Sequence, residues 1–261
     1  MHPFINTAIK AARKAGSIIV RHMDQLDQLT VEVKGRNDFV SSVDKLAEEE
    51  IIYTIKDTYP DHAILGEESG KQGNSDYEWI IDPLDGTTNF LHGFPHYAVS
   101  IAVKHNRIIE HGIIFDPLRN ELFAASRGNG ARLNDIRIRV SKANALQRSL
   151  IGTGFPFRQN KDVDAYLDCL KQVMQNSHGI RRAGSAALDL AYVACGRLDG
   201  FWESDLKSWD IAAGSLLIQE AGGLISDFKG EDQFLDTGEI IAANPKIFIA
   251  LTKIIRQSNT Y

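Results

Sequence analysis

The sequence predicts an α/β protein in which helices and mixed sheets stack in layers. Two observations predict this class. Apolar residues at helical spacing alternate with short apolar strands in both the first and the last part of the chain. Between these parts, from residue 97 to residue 140, the pattern changes to strands and turns. The 261 residues are enough to bury one sizeable core, and we expect residues 1–261 to form a single domain.

The first two helices are predicted over residues 4–22 and 42–58, where apolar residues recur every three or four positions. Ser41 or Ser42 can cap the second helix. Either cap would place Asp44 in the first turn of that helix.

Six strands are predicted before residue 141. Their predicted ranges are 63–66, 78–81, 97–103, 108–115, 121–126 and 137–140. From residue 97 onwards these strands are joined by short turns, so we expect an antiparallel meander.

Helices and strands alternate again after residue 148. Strands are predicted over 149–153, 179–182, 199–203, 224–228 and 239–243. Helices are predicted over 162–176, 185–195 and 209–221, with a last one that starts near Pro245. The pair Gly222–Gly223 is a strong signal that the third of these helices ends there.

Composition excludes several classes of function. The formal net charge of −5 makes direct electrostatic binding of nucleic acid a poor interpretation, so any nucleic-acid role would act through a protein partner. Cys169 and Cys195 are the two cysteines, and neither lies in a paired metal or redox motif. No apolar run approaches the ~18 residues that span a bilayer, and the first residues lack an apolar signal core. We therefore expect a cytoplasmic protein without membrane association.

The first acidic motif is Asp-Pro-Leu-Asp-Gly-Thr-Thr at residues 82–88, directly after an apolar strand. Asp82 and Asp85 can face one point across the turn, and the carbonyl of Leu84 lies between them as a third oxygen ligand. Gly86 lets a phosphate approach the backbone, and Thr87 adds an amide and a hydroxyl. The alternative interpretation is a plain turn, because Asp, Pro and Gly are common turn formers.

Three other acidic positions follow strands or start helices. Glu67 follows the strand at 63–66, Asp210 opens the helix at 209–221, and Asp44 opens the helix at 42–58. Alone, each has an ordinary alternative: a solvated turn, or a first-turn acid that the helix dipole favours.

Together, these acids indicate a metal site. Two carboxylates ~4 Å apart repel each other by roughly 4 kcal/mol at an effective dielectric of 20, and a divalent cation removes that cost. All the proposed ligand atoms are oxygens, which favours Mg²⁺ or Mn²⁺ over Zn²⁺. Adjacent metal ions can hold a phosphate, acidify a water and stabilise a leaving oxygen.

Two long segments resemble the signatures of the inositol monophosphatase family. They are Trp-Ile-Ile-Asp-Pro-Leu-Asp-Gly-Thr-Thr-Asn-Phe at 79–90 and Trp-Asp-Ile-Ala-Ala-Gly at 209–214, which runs on to Ala-Gly-Gly at 221–223. The segments around Glu67 and Asp44 are similar in order and spacing. The beginning Met-His-Pro and the stretches 119–123 and 153–157 resemble the bacterial branch, some members of which also take part in ribosomal RNA antitermination.

The resemblance implies a layered α/β/α/β/α sandwich with mixed, largely antiparallel sheets, a homodimer, Mg²⁺ as cofactor with Mn²⁺ as a possible substitute, and inhibition by lithium. It implies a metal-binding set formed by Glu67, Asp82, Asp85, Asp210 and the carbonyl of Leu84. The implied groups that position and activate the water are Glu67, Asp44 and Thr87. The implied substrate-binding set is Asp85, Gly86, Thr87, Gly184, Ser185, Ala186, Glu203 and Asp210.

The resulting hypothesis is Mg²⁺-dependent hydrolysis of a small phosphate monoester, with myo-inositol 1-phosphate as the first choice, by direct attack of a metal-activated water on phosphorus. One alternative is a related phosphatase acting on fructose 1,6-bisphosphate or a 3′-phosphonucleotide, although no concentrated basic pocket for a second phosphate is evident. The other alternative is an interaction protein of a transcription complex, and a second role with antitermination proteins is compatible with catalysis.

Overall fold

The structure is a computed structural model that describes residues 2–28, 31–35, 38–156 and 163–258. The α-helices in these residues are α1 Pro3–His22, α2 Ser42–Thr58, α3 Thr87–Leu91, α4 Val163–Asn176, α5 Ala186–Ala194, α6 Ser208–Glu220, α7 Phe234–Thr237 and α8 Pro245–Gln257. The first ten strands are β1 Val31–Gly35, β2 Asp38–Ser41, β3 Ala63–Gly66, β4 Gly70–Gln72, β5 Tyr77–Asp85, β6 Ala98–His105, β7 Ile108–Asp116, β8 Glu121–Ser126, β9 Gly130–Leu133 and β10 Ile136–Arg137. The remaining strands are β11 Leu150–Thr153, β12 Gly179–Arg181, β13 Gly200–Glu203, β14 Leu224–Ser226 and β15 Ile240–Ala243.

The larger sheet has eight strands in the order β10-β9-β8-β7-β6-β5-β3-β4. From β5 to β10 each strand pairs antiparallel with the next, as predicted for the middle of the chain. Only β3 and β5 pair in parallel within this sheet. The segments after β3 and within β5 carry the acidic motifs, so this parallel pair brings both motifs to the same edge of the molecule.

The second sheet has five strands in the order β12-β11-β13-β15-β14. Strand β11 pairs in parallel with β12 and β13, whereas β15 pairs antiparallel with β13 and β14. Strands β1 and β2 form a separate antiparallel hairpin. The sheets are therefore mixed and mostly antiparallel, as the family resemblance implies.

The two sheets and the helices stack as α/β/α/β/α layers. Helices α1 and α2 pack together against one face of the larger sheet. Helices α5 and α6 lie between the two sheets and contact strands of both. Helices α4 and α8 pack together on the outer face of the second sheet. This layering confirms the predicted fold class.

Apolar burial on both faces of each sheet holds the layers together. Helix α1 buries Ile5, Ala12 and Ile19 at helical spacing, and α2 buries Ile51 and Ile55 in the same way. Burying each isoleucine stabilises the fold by roughly 1.5–3 kcal/mol. The alanines on α1 are small enough for its axis to approach the sheet and α2 closely.

The prediction of a strand over 137–140 is wrong in position. The structure has the hairpin β9–β10 instead, with Asn134 and Asp135 in left-handed conformations at its turn. Ile136, Ile138 and Val140 alternate like a strand, but Ile138 and Val140 lie beyond β10 and pack against the core between the sheets.

Two other differences concern short elements and one boundary. The hairpin β1–β2 and the three-residue strand β4 were not predicted, because their sequences lack an apolar run. The start of the helix predicted over 162–176 lies outside the described residues, which resume at Val163.

No helix in the described part of the chain combines the length and apolar character needed to cross a bilayer.

Candidate active site

A bulge in β5 brings Asp82 and Asp85 to the same side of the strand. Asp82 pairs with Ser100 of β6 and Asp85 pairs with Ala98, so three steps on β5 match two on β6. Residues three apart on a regular strand point to opposite faces, and the extra residue of a bulge corrects this. The strand therefore does not end before Asp82, as the sequence predicted, but continues to Asp85. Asp82 is stabilised locally, because its Oδ1 accepts the Leu84 N–H at 2.9 Å.

Asp210 completes a cluster of three carboxylates. It lies in the first turn of α6, where its Oδ2 accepts the backbone N–H of Lys207 at 2.6 Å. One side-chain oxygen from each of Asp82, Asp85 and Asp210 lies within 4.8 Å of the others. The larger sheet and the middle helical layer thus contribute to one acidic site.

Burial and repulsion between carboxylates raise the pKa values of Asp82 and Asp85. Burial, followed by the charges of Glu67, Asp85 and Asp210, raises the pKa of Asp82 well above its ordinary value. Burial and then the Asp210 charge raise the pKa of Asp85 to about 7, although Ser185 Oγ and Ala187 N donate hydrogen bonds to it at 2.5 and 2.7 Å. A divalent cation between these oxygens would offset the repulsion, and an all-oxygen donor set suits a hard cation.

Glu67 lies beside this cluster at the end of β3. Its charge and its hydrogen bonding with Asp82 contribute to the raised pKa of Asp82. Its backbone N–H donates to Ile81 O at 3.1 Å, which ties the turn after β3 to β5.

The turn that carries Glu67 rests on a residue that the sequence analysis missed. Glu48 of α2 is buried, and its two carboxylate oxygens accept the N–H groups of Glu68 and Ser69 at 2.9 and 2.8 Å. The available signal was the spacing of Asp44 and Glu48, four residues apart on one face of α2.

Asp44 and Thr87 form a hydrogen-bonded pair next to the cluster. Asp44 is fully buried, and its Oδ2 accepts the N–H and the hydroxyl of Ser41 at 2.9 and 2.5 Å. Its Oδ1 accepts the Thr87 hydroxyl at 2.8 Å, and that hydroxyl lies 3.0 Å from Leu84 O. Burial raises the pKa of Asp44, and the hydrogen bonds from Ser41 and Thr87 oppose this increase. Because the Thr87 hydroxyl has one hydrogen, donating it to Asp44 leaves the oxygen as an acceptor.

Gly86 and Gly184 lie in contact beside the acidic cluster. Both have left-handed backbones, with φ of 97° and 88°. A Cβ at Gly86 would lie 3.0 Å from His96 O and 3.2 Å from Gly184 O. A larger residue at either position would strain the backbone, and at Gly86 it would also press against the turn of Gly184.

Apart from Asp85 on β5, the predicted ring-binding residues lie on the second sheet and at the start of the middle helix α5. Ser185 caps α5, Ala186 is its first residue, and Ser185 contacts Asp85 directly. Glu203 ends β13, and burial followed by the charge of Asp189 raises its pKa well above the ordinary value. Asp210 and Asp85 also raise the pKa of Glu203, so it lies within electrostatic range of the cluster.

Asp189 is a second residue that the sequence analysis missed. It is a buried carboxyl group on α5, and burial followed by the charge of Asp85 raises its pKa well above its usual value. The segment 185–195 reads as an apolar helix, and one acid within such a helix carries little signal.

The sequence matches a known protein family over nearly its whole length. A model of the inositol monophosphatase family matches residues 1–260. The chain belongs to the inositol monophosphatase family.

Three relatives define the match more closely. The chain is 52% identical to a Pseudomonas aeruginosa protein named Nus factor SuhB, over 98% of this chain and 97% of the relative. The crystal structure of extragenic suppressor protein SuhB from Bartonella henselae has a TM-score of 0.96 and 44% identity, covering 98% of this chain and 99% of that one. Inositol monophosphatase from Anabaena has a TM-score of 0.86 and 38% identity, covering 97% and 95%. Within the family, the chain lies in the SuhB branch.

Proposed function

We propose that this protein is a Mg²⁺-dependent phosphatase that hydrolyses a small phosphate monoester, and that myo-inositol 1-phosphate is its substrate. The observation that carries the proposal is the convergence of Asp82, Asp85 and Asp210 within 4.8 Å. The hydrogen-bonded Asp44–Thr87 pair lies beside these residues. Membership of the inositol monophosphatase family supports the same activity.

The acidic cluster is the proposed cofactor site. Glu67, Asp82, Asp85, Asp210 and the carbonyl of Leu84 would hold Mg²⁺, with Mn²⁺ as a substitute. When bound, the cation supplies Lewis-acid chemistry: it neutralises the carboxylates, lowers the pKa of water and stabilises charge on the leaving oxygen. We expect lithium chloride to inhibit phosphate release. The same concentration of potassium chloride is the control for ionic strength.

Thr87, Asp44 and Glu67 are the groups proposed to position and activate the water. The Thr87 hydroxyl, oriented by Asp44, would accept a hydrogen bond from the attacking water. Glu67 would take the proton that this water loses as its oxygen attacks phosphorus. The bond from phosphorus to the substrate alkoxide breaks in line with the attack, so no covalent enzyme intermediate is required.

The remaining predicted residues would bind the substrate. The amides of Gly86 and Thr87 would hold phosphate oxygens. The ring hydroxyls would contact Asp85, Asp210 and Glu203 and the turn of Gly184, Ser185 and Ala186. Carboxylates accept hydrogen bonds from hydroxyls, which supports a polyol as the alcohol part of the ester.

The test is phosphate release from myo-inositol 1-phosphate, fructose 1,6-bisphosphate and a 3′-phosphonucleotide, each with and without Mg²⁺. The proposal expects the highest kcat/KM for the inositol ester, and no release from it without Mg²⁺. A higher kcat/KM for either of the other substrates would instead support the related phosphatases. No Mg²⁺-dependent release from any of them would reject the enzymatic function.

We also propose a second role with transcription antitermination proteins, in the cytoplasm. Its support is that relatives with 52% and 49% identity carry the name Nus factor SuhB. A pull-down from bacterial lysate with Asp82→Asn as bait, probed by immunoblot for Nus factors, tests this role separately from turnover. Equal recovery with wild type and variant would support a non-catalytic role, and no recovery with either would reject it.

The implied homodimer is testable by analytical ultracentrifugation.

A further inference from the structure

The side-chain amide of Asn89, on α3, lies between three backbone carbonyls. Its Nδ2 donates to His96 O at 2.7 Å and to Ala183 O at 2.9 Å, and it lies 3.2 Å from Gly184 O. An amide nitrogen has two hydrogens, so the three carbonyls share both of them. The donor capacity of this side chain is therefore fully used inside the protein.

The carbonyls that Asn89 binds belong to different parts of the fold. His96 lies two residues before β6 of the larger sheet, whereas Ala183 and Gly184 follow β12 of the second sheet. The main chain of Asn89 is also fixed, because its O accepts the Phe94 N–H at 2.8 Å. Asn89 therefore bonds both sides of the site together from a single anchored position.

The Asn89 amide lies where the two turns that flank the cluster come into contact. The position of a Gly86 Cβ would be 3.0 Å from His96 O and 3.2 Å from Gly184 O, so these backbones already touch. The amide of Asn89 lies 3.1 Å from the position of a Gly184 Cβ. Beyond Gly184, Ser185 and Ala187 donate to Asp85. A shift at Gly184 would therefore move the residues proposed to bind the ring.

We propose that Asn89 is a positioning residue that fixes the distance between the phosphate-binding turn at Gly86 and the ring-binding turn at residues 184–186. It thereby makes the site selective for ring polyol monophosphates over phosphate esters that lack the ring hydroxyls. This inference rests on the proposed function. It assigns no contact between Asn89 and the substrate, since the amide is engaged by protein carbonyls.

Loss of the amide removes the donor from the carbonyls of His96, Ala183 and Gly184 and frees the ring-binding turn. The phosphate-binding turn stays attached to β5, so binding of the phosphate group changes less than binding of the ring. We expect the ratio of KM for myo-inositol 1-phosphate to KM for 4-nitrophenyl phosphate to rise about tenfold, as for loss of a hydrogen bond.

The experiment compares Asn89→Asp and Asn89→Ser with wild type, with KM and kcat measured for both esters at saturating Mg²⁺. The acid is isosteric but adds a charge, which would raise both KM values, and the serine removes the amide without adding charge. Asn129→Asp is the matched control, because Asn129 is exposed and its Nδ2 donates to Arg127 O at 3.1 Å, within its own hairpin. A raised ratio in both Asn89 variants, with the control unchanged, supports the proposal. A fall in kcat for both esters with an unchanged ratio would overturn it.

Hydrogen exchange tests the same positioning without turnover. In Asn89→Ser we expect faster exchange at the amides of Ala187 and Leu188, whose acceptors are Asp85 and Ser185. Unchanged exchange at these two amides would contradict the proposed positioning role of Asn89. Absence of turnover in wild type would instead reject the phosphatase proposal, so the two failures are distinguishable.

Discussion

The Thr87 hydroxyl donates a 2.8 Å hydrogen bond to Oδ1 of Asp44, although 43 residues separate them in the chain. The bond joins α2 to the first residue of α3, and it connects the outer helical layer to the acidic cluster. Asp44 is held from its other side by Ser41, so its carboxylate has little freedom to turn. The Thr87 oxygen therefore has a fixed direction in which to accept a hydrogen bond.

Removing this hydroxyl should lower kcat more than it affects binding. For Thr87→Ala we expect kcat to fall about 10²-fold or more, in the range of lost acid–base positioning, with KM changed little. Thr87→Ser keeps the hydroxyl and is the control. Steady-state kinetics with myo-inositol 1-phosphate at saturating Mg²⁺ measure both. If Thr87→Ala turned over as fast as Thr87→Ser, the hydroxyl would have no part in the reaction.

The three clustered carboxylates should destabilise the metal-free protein. We expect Asp85→Asn to unfold at the same or a higher temperature than wild type without Mg²⁺, because one repelling charge is gone. With Mg²⁺ at 100 times its Kd, wild type should gain about 2.7 kcal/mol, and the variant should lose most of that gain. Thermal denaturation with and without Mg²⁺ measures this, and Asp57→Asn, an exposed carboxylate, is the control. Equal Mg²⁺ stabilisation of Asp85→Asn and wild type would argue against the metal site.

Glu48 should matter for both stability and turnover. In Glu48→Gln one of the two oxygens that accept the Glu68 and Ser69 N–H groups is replaced by a donor. We expect unfolding free energy to fall by about 1–3 kcal/mol and kcat to fall through displacement of Glu67. Urea denaturation and kinetics measure the two effects, and the exposed neighbour in Glu49→Gln is the control. Identical behaviour of the two variants would show that the turn does not need Glu48.

Glu78 makes part of the stability depend on pH at a distance from the site. Burial acts to raise its pKa, but the Lys104 contact and the Lys71 charge outweigh burial and lower it below the ordinary 4.5. A carboxylate with a depressed folded pKa stabilises the fold above its unfolded pKa, and this contribution disappears as pH falls through the folded value.

The expected result is that Glu78→Gln is less stable than wild type at pH 7 and that the difference shrinks below about pH 4. Urea denaturation over this pH range measures it, with Glu49→Gln as an exposed reference. A difference that stayed constant from pH 7 to pH 3 would show that the charge of Glu78 contributes nothing.

The sequence predicted the layered fold and the approach of the acidic motifs because both depend on local patterns. Glu67 directly follows a strand and Asp210 directly starts a helix, so their positions could be inferred from neighbouring residues. The bulge at Asp82 and Asp85 could not, because residue alternation alone places residues three apart on opposite faces. The predicted reason for Asp82 and Asp85 to face one point was a turn, whereas the structure brings them together through a bulge. The full set of ligands was predicted from the family resemblance.

The supporting residues were harder to find for a different reason. Glu48 lies in a run of three glutamates that reads as a solvated helix face, and only the fold shows that it is buried. Asn89 bonds to a carbonyl 94 residues away, and no local pattern indicates such a partner. The roles of the individual site residues and the single-domain organisation stay predictions.

The most direct test is phosphate release from myo-inositol 1-phosphate as Mg²⁺ is titrated from zero, for wild type and Asp82→Asn. Asparagine can keep the 2.9 Å hydrogen bond from Leu84 N through its own Oδ1, so this variant should fold while losing the charge. The account predicts saturable, Mg²⁺-dependent release by wild type and none by Asp82→Asn, with the exposed Asp57→Asn unaffected. Undiminished Mg²⁺-dependent release by Asp82→Asn would contradict it.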